Sequence, residues 1–420
     1  MQADAAAETV GVAIIGAGER GVYYVGSRMA ELARETGLRI IGVQDRLADR
    51  AALAAQHLDG LYSAQGLNHK VRVFEDMHAA VHDPDVGLVL VTTHTDAHRA
   101  PAIEAIRAGK RVYLDKPISV TLEDAEAIAA AEREVGKPVM MGFTRRYEKP
   151  WISAVEMVAR GEIGSPQMIL LRSVIPYTRY LQLWHRSNAT SGGALNDKGS
   201  HHFDVLNWIA GAAPLTVSAI GGRSDIFAPD PNAPARCSEC DRDCPYRRHE
   251  TLIDKAEGIP KVPNESWSTA TAPQDRNDNC VYLPGSDIDD HAIVTVRYAN
   301  GVDACLFFTI FGPFAEDQET LEVVGSSGRL RMERHSGEID LVSNYGRSRD
   351  VIEAVSNDRS SSHFGADLEL VRTMRRFADG EVPPVGVPEG VASLRLVRAA
   401  QMSLNAGGRA VDPKTMEFVQ

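Results

Sequence analysis

The chain has 420 residues, with 45 Lys+Arg against 57 Asp+Glu and a formal net charge of −12. That acidity disfavours a nucleic-acid partner, since phosphate backbones are met by basic surfaces. The length suits two or three domains of about 150 residues each, and no apolar run nears the ~20 residues of a spanning helix, so no membrane partner is expected.

In chain order, the opening MQADAAAETV has neither the basic nor the apolar region of a secretory signal, and a reducing cytoplasm is the expected compartment. Residues 1–150 then alternate short apolar runs with helical stretches, which predicts βαβ units and a parallel sheet. Strands are expected at 12–15, 40–44, 87–92, 111–114 and 139–142, each almost wholly apolar, as strands buried on both faces are. Before the last of these, Thr121 and Asp124 cap an Ala-rich helix that Gly136 and Pro138 stop.

Gly16-Ala17-Gly18-Glu19-Arg20-Gly21 directly follows the first strand and opens a helix. In that context Gly16 permits a tight turn, Gly18 lets backbone approach a pyrophosphate, and Gly21 lets helix pack on strand. Asp45 ends the second strand, 24 residues after Gly21, close to the ~20 expected of an acid that accepts from a ribose 2′-hydroxyl. An Asp there repels a 2′-phosphate and favours NAD over NADP, whereas Arg46 beside it pulls the other way.

After residue 151 the pattern changes, marking 151–420 as a second domain. A helix at 151–160, a strand at 168–174 and a helix at 200–210 precede strands at 292–298, 302–311, 320–324, 330–333 and 339–342, with Asn300-Gly301 as a hairpin turn. Helices at 364–378 and 391–404 close the chain. An α+β domain with a large, mostly antiparallel open sheet is predicted. Residues 223–290 are rich in Pro, Asp, Asn and Ser and form an insertion. Cys237, Cys240 and Cys244 lie within it, and Cys280 could complete four thiolates around a structural zinc, reduced thiols without metal being the alternative. Cys305, in an apolar strand, is expected in the core.

Further motifs stand at strand ends: Thr93-His94-Thr95-Asp96-Ala97-His98 after 87–92, Asp115-Lys116-Pro117 after 111–114, then Gly142-Phe143-Thr144-Arg145-Arg146-Tyr147 and Gly192 to His201. With the glycine loop these are five motifs in order, and by them the chain resembles the Gfo/Idh/MocA oxidoreductase family along nearly its whole length. The family's Glu-Lys-Pro is here Asp115-Lys116-Pro117, and its Thr-Pro-Asn is Thr93-His94-Thr95. The resemblance implies an α/β Rossmann domain holding NAD through Gly16, Gly18, Glu19, Arg20, Gly21, Asp45, Arg46, Thr93, His98, Asp115 and Lys116.

It further implies hydride transfer from a ring carbon of a sugar, sugar derivative or cyclitol to nicotinamide. Lys116 would polarise the hydroxyl, His201 would take its proton and Asp197 would orient. A group titrating near neutrality suits that proton, and an ammonium suits the developing alkoxide. Arg145, Arg146, Tyr177, Trp184, Arg186 and His202 are candidates for the substrate side, with ordinary ion pairing as the rival role for the two adjacent arginines. Family members assemble through the open face of the second sheet, so a homo-oligomer, dimer or tetramer, is expected. Two other functions fit overlapping residues: an NAD-dependent glycosidase that oxidises, eliminates, adds water and reduces again, and a non-catalytic NAD or sugar sensor. Retention of Lys116, Asp197 and His201 together argues against the sensor.

Overall fold

The computed structural model describes residues 9–246, 279–313, 315, 318–355 and 363–419. The chain divides into two compact units: one holds the residues through Thr144 and Gly365–Val391, the other runs from Arg145 and includes Ala392–Gln420.

The first unit is built on six strands, β1 (Val10–Ile15), β2 (Leu38–Gln44), β3 (Arg72–Val73), β4 (Val86–Val91), β5 (Arg111–Leu114) and β6 (Met140–Met141). They lie in the order β3-β2-β1-β4-β5-β6, every neighbour pair parallel. Val12 to Ile14 and Leu88 to Val91 are fully buried, which is why both segments are uniformly apolar. Strand order reverses between β1 and β4, so the carboxyl ends of these strands flank the crevice where doubly wound sheets take ligands. Only β3 escaped the sequence pattern, because its two residues are exposed and form no apolar run. In the helix Leu122–Val135, Thr121 Oγ1 accepts the Asp124 N–H at 3.1 Å, and Gly136 ends it at φ 70°.

The helix Ala366–Ala378 packs within this first unit, although it lies inside the 151–420 stretch expected as the second domain. Its buried stripe, Leu370, Val371, Met374 and Phe377, is joined by Arg111 stacked 5.3 Å over the Phe377 ring. An amphipathic stripe shows that a helix packs, but carries no label for what it packs on.

The second unit contains a ten-stranded sheet: β7 (Pro166–Val174), β8 (Pro214–Gly222), β9 (His291–Tyr298), β10 (Asp303–Thr309), β11 (Glu319–Gly325), β12 (Arg329–Glu333), β13 (Glu338–Ser343), β14 (Ser348–Glu353), β15 (Val411–Asp412) and β16 (Glu417–Phe418). The order is β14-β13-β12-β11-β7-β10-β9-β8-β15-β16, with β7 and β10 parallel and their other partners antiparallel. The helices Lys149–Ala159 and Gly199–Ala210 pack against the sheet. On its other face Met168, Leu170, Ile220, Ile293, Phe307 and Val324 are 37 to 61% exposed.

Cys305 pairs with Leu170 and sits between the buried Ala304 and Leu306, so it points to that open face and is only partly covered. The core expectation for it is thereby corrected: in a strand, parity and not apolarity decides the side. Of the 223–290 insertion, 247–278 lies outside the described residues. The rest holds short turns, Asp225–Phe227 and Cys237–Glu239, and an antiparallel bridge between Arg236 and Asn279. Among the described residues no helix is long and apolar enough to cross a membrane.

Candidate active site

Each glycine after β1 has its own steric reason. Gly16 has φ +96°, and a Cβ there would lie 2.6 Å from the Thr93 nitrogen. At Gly21 a Cβ would come 2.3 Å from Thr92 Oγ1 and 2.6 Å from the Gly16 carbonyl, so the helix that starts at Glu19 touches the strand end directly. Gly18 differs, for a Cβ there would meet nothing within 4 Å. Protein packing does not require that glycine, whereas a pyrophosphate approaching the backbone does. The loop therefore fits a dinucleotide.

The Asp45 carboxylate, 3% exposed, accepts from the Ala17 N–H at 2.8 Å, the Leu47 N–H at 2.9 Å and Arg50 at 2.8 Å. It thus anchors the glycine loop, and Arg50, which the sequence reading missed, supplies its counter-charge from the helix Ala48–Ala64. Arg46 points its residue to the surface.

Beyond β4, Thr92 Oγ1 donates to the Gly16 carbonyl at 2.8 Å. The buried His98 ring sets Nδ1 3.0 Å from the Pro117 carbonyl and Nε2 3.2 Å from the Thr93 carbonyl. Burial lowers its pKa, and the ring ties the loops after β4 and β5 together. At the end of β5, Asp115 Oδ1 accepts from Tyr113 at 2.9 Å and from Arg20 Nε at 3.2 Å, while Arg20 Nη1 reaches Asp367 at 2.7 Å. Burial opposes the Arg20 charge, but Tyr113, Asp115 and Asp367 outweigh it and raise its pKa well above the ordinary value. Arg20 and Asp115 are therefore joined to each other. A Cβ on Gly142 would fall 2.3 Å from Asp115 Oδ1, which is why the motif GFTRRY begins with glycine. Lys116 follows, half-buried, with its peptide to Pro117 in the cis form.

In the second unit, Gly192 and Gly193 at φ 74° and 79° turn the chain into the short helix Gly193–Asp197, and Gly199–Ala210 continues beyond Lys198. Helical spacing aligns Asp197, His201, Asp204 and Trp208 along one stripe. Asp197 and His201 are each 5% exposed. Tyr180 hydrogen-bonds Asp197, and burial together with that carboxylate raises the phenol's pKa, keeping it a donor. Lower on the stripe, Arg146 forks onto Asp204 at 2.8 and 2.9 Å and stacks 4.1 Å over Trp208.

Arg146 is therefore an ion-pair partner, and so is Arg145, 1% exposed, which reaches Glu148 at 2.6 Å and Glu319 at 2.7 Å. The structure corrects the substrate expectation for both: each guanidinium is committed to a buried carboxylate. His202 is likewise buried, its Nε2 3.3 Å from Glu319, and burial drives its pKa well down. Arg186 donates to the Leu283 and Pro284 carbonyls at 2.7 and 2.8 Å, so it ties two loops together. Trp184 stacks on His185 at 3.9 Å, and the Tyr177 ring lies 5.2 Å from Lys198 Nζ.

The sequence reading missed the ion cluster behind this helix. Arg334 joins Glu148 and Glu319 at 2.7 Å each, and Lys198 Nζ lies 3.1 Å from Glu319. Burial alone would raise the Glu319 carboxyl, yet Arg145, Lys198 and Arg334 hold it well below the usual range. Two arginines already balance two glutamates, which makes Lys198 the surplus cation. Burial, only partly offset by Glu319, lowers its pKa to about 7. Its position between Asp197 and Gly199 was the available signal; Glu319, at a strand start, gave none.

Residues 10–143 match the model of an oxidoreductase family's NAD-binding Rossmann fold, and 155–412 match the same family's C-terminal alpha/beta domain. Among curated relatives, the putative oxidoreductase YteT of Bacillus subtilis is 28% identical over 273 residues, 61% of this chain and 62% of that one. The inositol 2-dehydrogenase of Salmonella typhimurium is 30% identical over 200 residues, 46% of this chain and 54% of that one. The chain thus spans little more than half the length of each. An NAD-binding oxidoreductase structure from Klebsiella pneumoniae superposes with a TM-score of 0.71 at 19% identity, covering 98% of this chain and all of the other, which shows a shared fold.

Proposed function

Because the chain belongs to the Gfo/Idh/MocA oxidoreductase family, we propose that it is an NAD-dependent dehydrogenase acting on a ring carbon of a sugar, sugar derivative or cyclitol. The observation that carries this reading is the pairing of Asp197 with His201 on one helical stripe, the carboxylate held by Tyr180. NAD held at the glycine loop and Asp45 would supply the hydride acceptor. His201 takes the hydroxyl proton as the C–H bond breaks and the carbonyl forms, and Asp197 orients the acceptor. Lys116 carries the ammonium that stabilises the developing alkoxide. The buried Asp45 at the glycine loop supports NAD over NADP. A carbohydrate-type substrate is supported by the inositol dehydrogenase relative. Self-association through the exposed apolar face of the ten-stranded sheet belongs to the same reading.

The test is a panel of polyols, sugars and glycosides incubated with enzyme and NAD, read by NADH absorbance and product chromatography. NADH equimolar with a ketone product is expected, and His201→Ala or Lys116→Ala should lower kcat by about 10²- to 10⁴-fold. Free aglycone without net NADH, or unchanged turnover in both variants, would overturn the proposal.

A further inference from the structure

Four of the five cysteines lie in one arm of the second unit, in two stretches that the sequence keeps apart by the 35 residues between Cys244 and Cys280. The structure joins them. Arg236 and Asn279 form an antiparallel bridge, the Cys280 N–H donates to the Ala235 carbonyl at 3.0 Å, and the Asp230 N–H donates to the Tyr282 carbonyl at 2.9 Å. Tyr282 also hydrogen-bonds the Cys244 thiol. Within Cys-x-x-Cys, the Cys240 N–H donates to the Cys237 carbonyl at 3.2 Å and closes a turn. None of the cysteines is in a disulfide, and all are partly buried. The backbone pairing thus sets Cys280 beside the stretch that leads into Cys237, and Tyr282 beside Cys244.

We propose that Cys237, Cys240, Cys244 and Cys280 bind one zinc ion as four thiolates. A closed tetrahedral thiolate site supplies folding energy to the segment that carries it. The sulfurs are not yet at ligand spacing: among the described residues the trio of ligand atoms within 4.8 Å of one another is His78, His82 and Glu104, on the first unit. Binding therefore draws the two stretches together and releases the thiol protons. Arg242, which feels both Cys240 and Cys280, offsets part of the resulting negative charge.

The consequence reaches the catalytic helix without depending on the proposed reaction. The Asn279 carbonyl, next to Cys280, accepts from Gln182 at 2.8 Å, and Asp287 Oδ1 accepts from the Asn188 N–H at 2.7 Å. Tyr180, the donor to Asp197, lies two residues before Gln182. Zinc at the four thiols would fix the arm that fixes this wall.

The test uses the full chain purified under reducing conditions and passed over a chelating resin. Elemental analysis should find about one zinc per chain, released by a mercurial in step with thiol titration. Cobalt in its place should give a tetrahedral spectrum with a thiolate charge-transfer band. Cys280→Ser should lose the metal, while Cys305→Ser and the double variant His78→Ala/His82→Ala should keep it. A protein that neither retains zinc nor takes it up, a cobalt spectrum without thiolate character, or metal content that follows the histidine variant would overturn the assignment; the cobalt spectrum of the unaltered chain decides even if Cys280→Ser does not fold.

Discussion

Lys198 illustrates how a single side chain acquires a property that its neighbours in sequence do not give it. Burial, reinforced by Arg145 and Arg334 and only partly offset by Glu319, lowers its amine from the ordinary 10.5 to about 7. Between those values the folded chain has released a proton that the unfolded chain retains, so this group makes stability rise with pH across that window, with the full penalty present below about 7. Lys198→Met should therefore raise Tm relative to the parent at pH 6, with the gain shrinking towards pH 10; a pH-independent difference would contradict the assignment. Glu148 and Glu319 give the same sign in a more acid window. Their lowered carboxyls stabilise the fold above the usual carboxylate range, and that contribution is lost on acidification. The glycine loop offers a second residue-level contrast. Gly21→Ala forces a Cβ against Thr92 and the Gly16 carbonyl and should cost about 1–3 kcal/mol in urea unfolding. Gly18→Ala meets no protein atom and should leave stability unchanged while weakening NAD binding by calorimetry.

At the scale of elements, the helix Gly199–Ala210 carries the proposed proton acceptor on one turn and anchorage on the next. Its upper stripe holds His201, and its lower stripe holds Asp204, clamped by Arg146. Asp204 is 1% exposed, so Arg146→Met would leave a buried carboxylate without its partner. A loss of about 3–5 kcal/mol is expected by denaturant titration; a loss under 1 kcal/mol would show that Asp204 finds another donor or takes up a proton. The motif DKGSHHFD was legible through the family resemblance that its residues carry. Which arginine served it was not, since Arg146 lies 58 residues away and its neighbour Arg145 pairs with Glu319, 174 residues away. Both look alike in a string of letters, and only the strand that brings Glu319 alongside separates their tasks.

For the molecule as a whole, the exposed face of the ten-stranded sheet carries more apolar surface than scattered side chains explain. Met168 pairs with Val324, Leu170 with Cys305, and Phe307 with Ile293, so the outward side chains form adjoining rows. Leu170→Glu with Phe307→Glu should shift the mass measured by light scattering towards the monomer, and an unchanged mass would move the interface elsewhere. The parallel sheet, the glycine loop and the capped helix Leu122–Val135 were determined by sequence alone, because each rests on contacts a few residues apart or on a burial pattern repeated along one element. The tertiary structure alone decided that Gly365–Val391 rejoins the first unit, that Cys305 faces outward, that Arg145 and Arg146 are ion-pair partners and that Lys198 is the surplus cation. These depend on charges and strands far apart in the chain, whose distances are set only when the sheets close and water is removed from between them.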